Sequence, residues 1–185
     1  MSNDNFEIEI IEETIHSNSK SISLPTNAKK IGSNKNSAMA IYIEQKVYDE
    51  IEKLALSDTE RELGSVLLGD YVQDGNFFSV IISDFIEAKY CISTAATLKF
   101  THETWEYIHK EHRECFADKR IVGWQHTHPG YGVFLSGHDL FIHENFFNLP
   151  FQIAYVVDPV SDTRGFFYWQ DESLEKSSYF FIYDA

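Results

Sequence analysis

At 185 residues, with 43% hydrophobic and 24% charged content, the chain is long enough to bury one core and too short for two ordinary domains. Its 29 acidic residues against 15 basic ones give a net charge of −14, which argues against nucleic acid or an anionic membrane as the main partner and favours a neutral or basic protein. Cys91 and Cys115 form no CxxC pair, so cysteine zinc knuckles and thioredoxin-type chemistry are excluded. No run approaches the ~18 apolar residues of a membrane span, and the N-terminus lacks the basic and apolar regions of a secretion signal, so the expectation is a cytoplasmic protein.

Residues 1–37 read as a flexible N-terminal arm, because "HSNSKSISLPTNAKKIGSNKNSA" is rich in Ser, Asn and Lys and poor in large apolar residues. Within the arm, "FEIEIIEE" alternates apolar and acidic residues and predicts a short docking strand. The folded domain is expected over 38–185. "MAIYI" predicts a strand, and "EQKVYDEIEKLALS" a helix with Val47, Ile51 and Leu54 on one face. "ELGSVLLGDYV" reads as a buried strand ending at a glycine, and the turn "QDGN" joins it to a strand in "NFFSVIISDFIEA". "THETWEYIHKEHRECF" predicts a second helix capped by Thr101, with Glu103 or Glu106 in its first turns. "KRIVGWQHTH" is a strand, and "SGHDLFIHENFF" a third helix with Ser136 as N-cap and Asp139 three residues on, as in a capping box. "FQIAYVVDP" and "RGFFYWQ" close the pattern as paired strands. Interleaved strands and helices place the fold in the α/β or α+β class, a sheet with helices packed on it.

The chemistry concentrates in "HTHPGYGVFLSGHD". On a strand, His126 and His128 point to the same side, so two imidazoles can grip one zinc ion. A catalytic site needs a third ligand, and Asp139 can supply it if the glycine-rich loop folds the helix start back over the strand. A general base that is not a ligand is also needed. Glu62, at the head of an apolar strand, is the candidate; otherwise it is a solvated strand end. Ser136 can donate its hydroxyl to a developing oxyanion or cap the helix, and the two roles compete. His138 is expected to point elsewhere. His143, one turn past Asp139, either hydrogen-bonds that carboxylate or packs. His102, His109 and His112 belong to the second helix in solvated or capping roles, Cys91 and Cys115 are expected to be small buried hydrophobes, and Trp124 to be core. No G-x-S-x-G elbow supports a serine hydrolase, and no H-x-E with P-C-x-x-C supports a zinc deaminase.

The stretch resembles the JAMM (MPN-plus) metalloprotease motif: H-x-H, seven residues, S, two residues, D. Glu62 stands seven residues before Gly69, as the family's upstream glutamate does before its strand-ending glycine. The resemblance implies zinc held by His126, His128 and Asp139 with a water as fourth ligand, Glu62 as acid/base and Ser136 as oxyanion stabiliser. It implies hydrolysis of isopeptide or peptide bonds after the C-terminus of ubiquitin or a ubiquitin-like protein, on a twisted mixed sheet with flanking helices similar to cytidine deaminase. Thr127 stands where many members carry serine, and both face away from the metal. The ubiquitin-grasping insertions of eukaryotic members are short here. In this the chain is similar to bacterial members, some of which sit beside ubiquitin-like activating and conjugating enzymes, including antiphage systems. An inactive MPN scaffold, or a hydrolase acting on a sulfur-carrier precursor, a cysteine adduct or a phage-tail polypeptide, remains open at this point.

Overall fold

A computed structural model describes residues 22–33 and 37–185; the strand expected in "FEIEIIEE" lies outside the described residues. In chain order the elements are β1 (Ala28–Gly32), β2 (Met39–Glu44), α1 (Gln45–Ser57), β3 (Gly64–Asp74), β4 (Phe77–Glu87), β5 (Ile92–Thr94), β6 (Thr97–Lys99), α2 (His102–Cys115), β7 (Arg120–Thr127), α3 (Gly137–Phe146), β8 (Ile153–Asp158), β9 (Thr163–Gln170), β10 (Ser173–Lys176) and β11 (Tyr179–Tyr183). Nine strands form one mixed sheet in the order β1-β11-β2-β4-β3-β7-β8-β9-β10, and β5 and β6 form a separate hairpin. The expected mixed sheet with flanking helices is the observed fold.

Strand alternation sorts the core into two layers. Ile41, Ile43, Leu67, Val80, Ile82, Tyr155, Val157 and Phe166 pack with Val47, Ile51 and Ala55 of α1. Val66, Leu68, Trp124, Ala154, Val156 and Phe167 pack with Ile108 of α2 and Ile142 of α3 on the other face. On α1 the buried stripe is completed by Ala55 rather than by Leu54, since positions four apart stay on one face. Thr101 caps α2 and Glu103 lies in its first turn, as expected, and Thr104 completes a capping box.

Three boundaries differ from the sequence reading. β3 does not end at Gly69; it runs on to Asp74, with a register shift against β4 between Leu68 and Gly69. The strands β8 and β9 do pair, but they do not close the sheet. The chain crosses over to β11, which lies parallel to β2. Ala28–Gly32, part of the segment read as an arm, then pairs antiparallel with β11 and covers an edge that would otherwise expose unpaired N–H and C=O groups. Cys115 is exposed and Cys91 only half-buried, so neither is the core residue expected; Cys115 is the last residue of α2, beyond the helix's buried residues Thr104 and Ile108.

One irregularity positions everything downstream. Ile121 packs with the α2–α3 layer and Val122 with the α1 layer, as alternation requires, but Trp124 returns to the α2–α3 layer instead of the α1 layer. The register explains this: Leu67 pairs with Gly123 and Leu68 with Ile121, so Val122 is an extra residue in a β-bulge. Gly123 follows at φ +155°, and a Cβ there would lie 2.1 Å from the Ile153 carbonyl oxygen. Gly123→Ala is therefore expected to destabilise the protein by about 3 kcal/mol, at the upper end of overpacking costs. A urea titration followed by tryptophan fluorescence would check it; an unchanged midpoint would show that the bulge tolerates a side chain.

Candidate metal centre

The bulge sends His126 to the α3 side of the sheet, where it lies between Gly64 of β3 and Val156 of β8. His128 follows the strand end, and its N–H donates to the Val157 carbonyl at 2.8 Å. Asp139 arrives from the opposite direction, in the first turn of α3. Ser136 caps that helix: its Oγ accepts from Asp139 N at 3.2 Å, while Asp139 Oδ2 accepts from Ser136 N at 2.7 Å. The predicted capping box is thus present, and it turns Asp139 Oδ2 toward the two imidazoles.

His126 Nε2 and His128 Nε2 are 3.0 Å apart. Asp139 Oδ2 lies 3.5 Å from the first and 3.4 Å from the second. All three residues are buried. His128 Nδ1 donates to the Gly132 carbonyl at 3.1 Å, which leaves its Nε2 lone pair facing inward. Two imidazole lone pairs and a carboxylate oxygen therefore converge, an arrangement that suits a cation and no neutral partner. Zinc bonds of ~2.0–2.1 Å at tetrahedral angles require ligand atoms about 3.3–3.4 Å apart, so the observed triangle fits zinc.

Glu62 stands beside this triangle and outside it. It is 3% exposed, with Oε1 3.8 Å from His128 Nε2 and Oε2 without a hydrogen-bond partner among the described residues. It is no solvated strand end. Burial, reinforced by the nearby Asp139 charge and opposed by His128, pushes its carboxyl up to about 7. For Asp139, burial pushes the same way, but the adjacent His126 and His128 side chains outweigh it and hold the carboxyl well below the usual range. Burial lowers His126 and keeps it neutral, the state a ligand requires.

Sequence reasoning did not find what holds Glu62 in place. Thr127 faces away from the triangle, as expected, but its Oγ1 accepts from Leu63 N at 2.8 Å and its N–H donates to the Leu63 carbonyl at 2.9 Å. On the other side Glu62 N donates to the Thr94 carbonyl at 2.8 Å, and the Ser93 hydroxyl donates to the Glu62 carbonyl. The β5–β6 hairpin thus braces the glutamate's backbone. Short strands of Ser and Thr leave no periodic signal that would have marked it.

The remaining histidines divide clearly. His138 turns away, with Nε2 against the Leu98 carbonyl of the hairpin at 3.0 Å. His143 is fully buried but does not bond Asp139: its Nδ1 accepts from Trp124 Nε1 at 3.3 Å, and its ring stacks on Trp169. Trp124 is core, as expected, and also stacks flat on His126 with centroids 4.3 Å apart. His102 pairs with Glu106 at the surface and His112 bonds the Lys119 carbonyl, while His109 leans on Trp105.

Residues 36–149 match the family model described as JAB1/Mov34/MPN/PAD-1 ubiquitin protease. The chain is 28% identical over 58% of its length to the 26S proteasome regulatory subunit rpn11 of Schizosaccharomyces pombe, covering 34% of that protein. It is 27% identical over 68% of its length to AMSH-like ubiquitin thioesterase 2 of Arabidopsis thaliana, covering 54% of it. The matches thus span about a third to a half of these relatives. Among solved structures, the solution structure of protein DSY2949 from Desulfitobacterium hafniense is similar in fold, with a TM-score of 0.60, 14% identity and coverage of 78% of this chain and 94% of that one.

Asp139→Asn keeps the shape of the side chain and an oxygen for the Ser136 cap but removes the charge. Elemental analysis is expected to show about one zinc per wild-type chain and close to none in the variant, with little change in the melting temperature of the metal-free protein. Full zinc occupancy in Asp139→Asn would show that the carboxylate is not a ligand.

Proposed function

The chain belongs to the JAB1/Mov34/MPN/PAD-1 ubiquitin protease family, and from that premise we propose that it is a zinc-dependent isopeptidase or peptidase cleaving after the C-terminus of a ubiquitin-like modifier. One observation carries the reading: three electron-pair donors converge beside a buried glutamate that ligates nothing. An inactive scaffold would have no need to bury Glu62 there, against the cost of an unpaired carboxylate.

His126 Nε2, His128 Nε2 and Asp139 Oδ2 would hold the zinc. Once bound, zinc supplies a water made nucleophilic near neutral pH and polarisation of the scissile carbonyl. Glu62 takes the proton from the attacking water at its free carboxylate oxygen and hands it to the leaving amine. A carboxyl pushed up to about 7 is suited to both halves of that transfer. Ser136 stabilises the oxyanion. A hydroxyl that accepts from Asp139 N still has its own hydrogen to donate, so capping and catalysis do not compete after all.

The substrate assignment rests on the relatives' names, which speak of a ubiquitin thioesterase and, for the Saccharomyces cerevisiae protein, a ubiquitin carboxyl-terminal hydrolase. The net charge of −14 suits a modifier with a basic face. We place the catalytic domain at 38–185 with the strand Ala28–Gly32 added to its sheet, acting in the cytoplasm within a bacterial-type conjugation or antiphage system. No helix among the described residues is long and apolar enough to cross a membrane.

Glu62→Gln tests the mechanism. Zinc content is expected to be retained while turnover of a modifier C-terminal aminocoumarin conjugate falls by about 10²-fold or more. The metal-free protein supplies a second signature. The folded state binds the Glu62 proton more tightly than the unfolded state, so the stability Glu62 allows is present below 4.5 and lost as pH rises toward about 7. Metal-free Glu62→Gln should therefore melt above wild type at pH 8, with the gap closing toward pH 4.5. Wild-type turnover in the zinc-loaded variant would remove Glu62 from the mechanism.

A further inference from the structure

Asp158 ends β8 on the far side of the site from Glu62, and no part of the chemistry above uses it. It is fully buried. Its Oδ1 accepts from the backbone N–H of Val160 at 3.0 Å and of Ser161 at 3.1 Å, the ordinary work of an aspartate starting a β8–β9 turn. The same carboxylate also reaches into a different loop. Oδ1 accepts from Gly130 N at 2.8 Å, and Oδ2 accepts from Gly132 N at 2.8 Å. A hairpin turn has no use for Oδ2, and Gly132 lies 26 positions earlier in the chain.

Gly132 is also the residue whose carbonyl receives the His128 Nδ1–H. The loop it belongs to makes one turn after His128, with Gly130 at φ +79° and Gly132 at φ +84°. A Cβ on Gly132 would meet nothing within 4 Å. Glycine is thus required there by backbone conformation and not by space. Beyond Gly132 the loop has other anchors, since Val133 and Leu135 pack against the α2–α3 layer and the Phe134 ring lies 4.7 Å from that of His128; between His128 and Gly132, Tyr131 is exposed. Without the carboxylate, two backbone N–H groups would lose their acceptor and the Gly132 carbonyl its fixed direction.

We propose that Asp158 is a positioning residue of the metal centre: by clasping the Gly130 and Gly132 amides it holds the carbonyl that fixes the tautomer and aim of His128. This rests on the reading that His126, His128 and Asp139 bind zinc. Groups that orient a ligating histidine typically change metal affinity by 10- to 100-fold when removed. The effect passes through His128 alone, since His126 is oriented by Trp124 from the other side.

Two variants test it. Asp158→Asn keeps the shape but turns an N–H₂ group toward backbone N–H donors. Gly132→Ala disturbs only the loop conformation and leaves the β8–β9 turn intact. For each, zinc affinity is measured by competition with a chromogenic chelator, and the His128 tautomer of the metal-free protein by long-range ¹H–¹⁵N NMR. Both variants are expected to bind zinc about 10- to 100-fold more weakly, with the His128 ring passing from Nδ1–H to a mixture of tautomers and His126 unchanged. Should Asp158→Asn fail to fold, Gly132→Ala decides alone. Wild-type affinity and tautomer in Gly132→Ala would overturn the proposal and leave Asp158 as a turn residue only. A wild-type protein that binds no zinc would instead overturn the functional reading, while the tautomer measurement still judged the clasp.

Discussion

The metal centre depends on a change of phase in one strand. Without the extra residue at Val122, alternation along β7 would aim Trp124 and His126 at α1, across the sheet from Asp139. No rearrangement of the loop after His128 could repair that, because the helix carrying Asp139 packs on the other face. The bulge needs Gly123, whose missing side chain lets the neighbouring Ile153 carbonyl close in. A strand geometry three residues upstream thereby decides whether the histidines meet their carboxylate at all.

Around that strand, side chains serve the fold and the site together. Asp139 completes the capping box of α3 with the same oxygen that faces the imidazoles. Thr127 seals β7 to Leu63 and so fixes Glu62 beside His128. The arrangement concentrates two imidazoles and two carboxylates in a buried volume, a costly combination unless paired. A divalent cation would relieve it by satisfying three of the four groups at once. Glu62 stays outside that relief, and its shifted carboxyl is what acid/base work near neutral pH calls for.

The two histidines are steadied by different means. His126 is sandwiched deep in the core against Trp124, which is itself pinned by His143. His128, at the strand end, is held by a loop carbonyl and by the Phe134 ring 4.7 Å away. Aromatic packing tolerates small adjustments, whereas a carbonyl on a two-glycine loop needs an anchor, and Asp158 is placed to be one.

Much of this was legible in the chain itself. The spacing from His126 to Asp139, the Ser136 cap and the glutamate seven residues before Gly69 are local relations, and local relations survive folding. The strands of 39–44, 77–87 and 153–158 and the helices at 45–57 and 102–115 follow from periodicity for the same reason. What escaped is non-local. The bulge at Val122 arises from how β3 and β7 register, and nothing in "RIVGWQ" alone states which residue will be extra. The β5–β6 hairpin shows its use only in what it touches, the Glu62 backbone and His138, and Ala28–Gly32 becomes a strand only because β11 crosses the sheet to offer it an edge. In sequence Asp158 is only the polar end of "FQIAYVVDP"; its second oxygen finds Gly132 because β8 lies parallel to β7 and brings the two strand ends together. The sequence by itself determined which groups could do the chemistry, since identity and spacing are written along the chain. The tertiary structure alone decided which faces they share and what holds them still, because those depend on backbone hydrogen bonds between segments far apart in sequence.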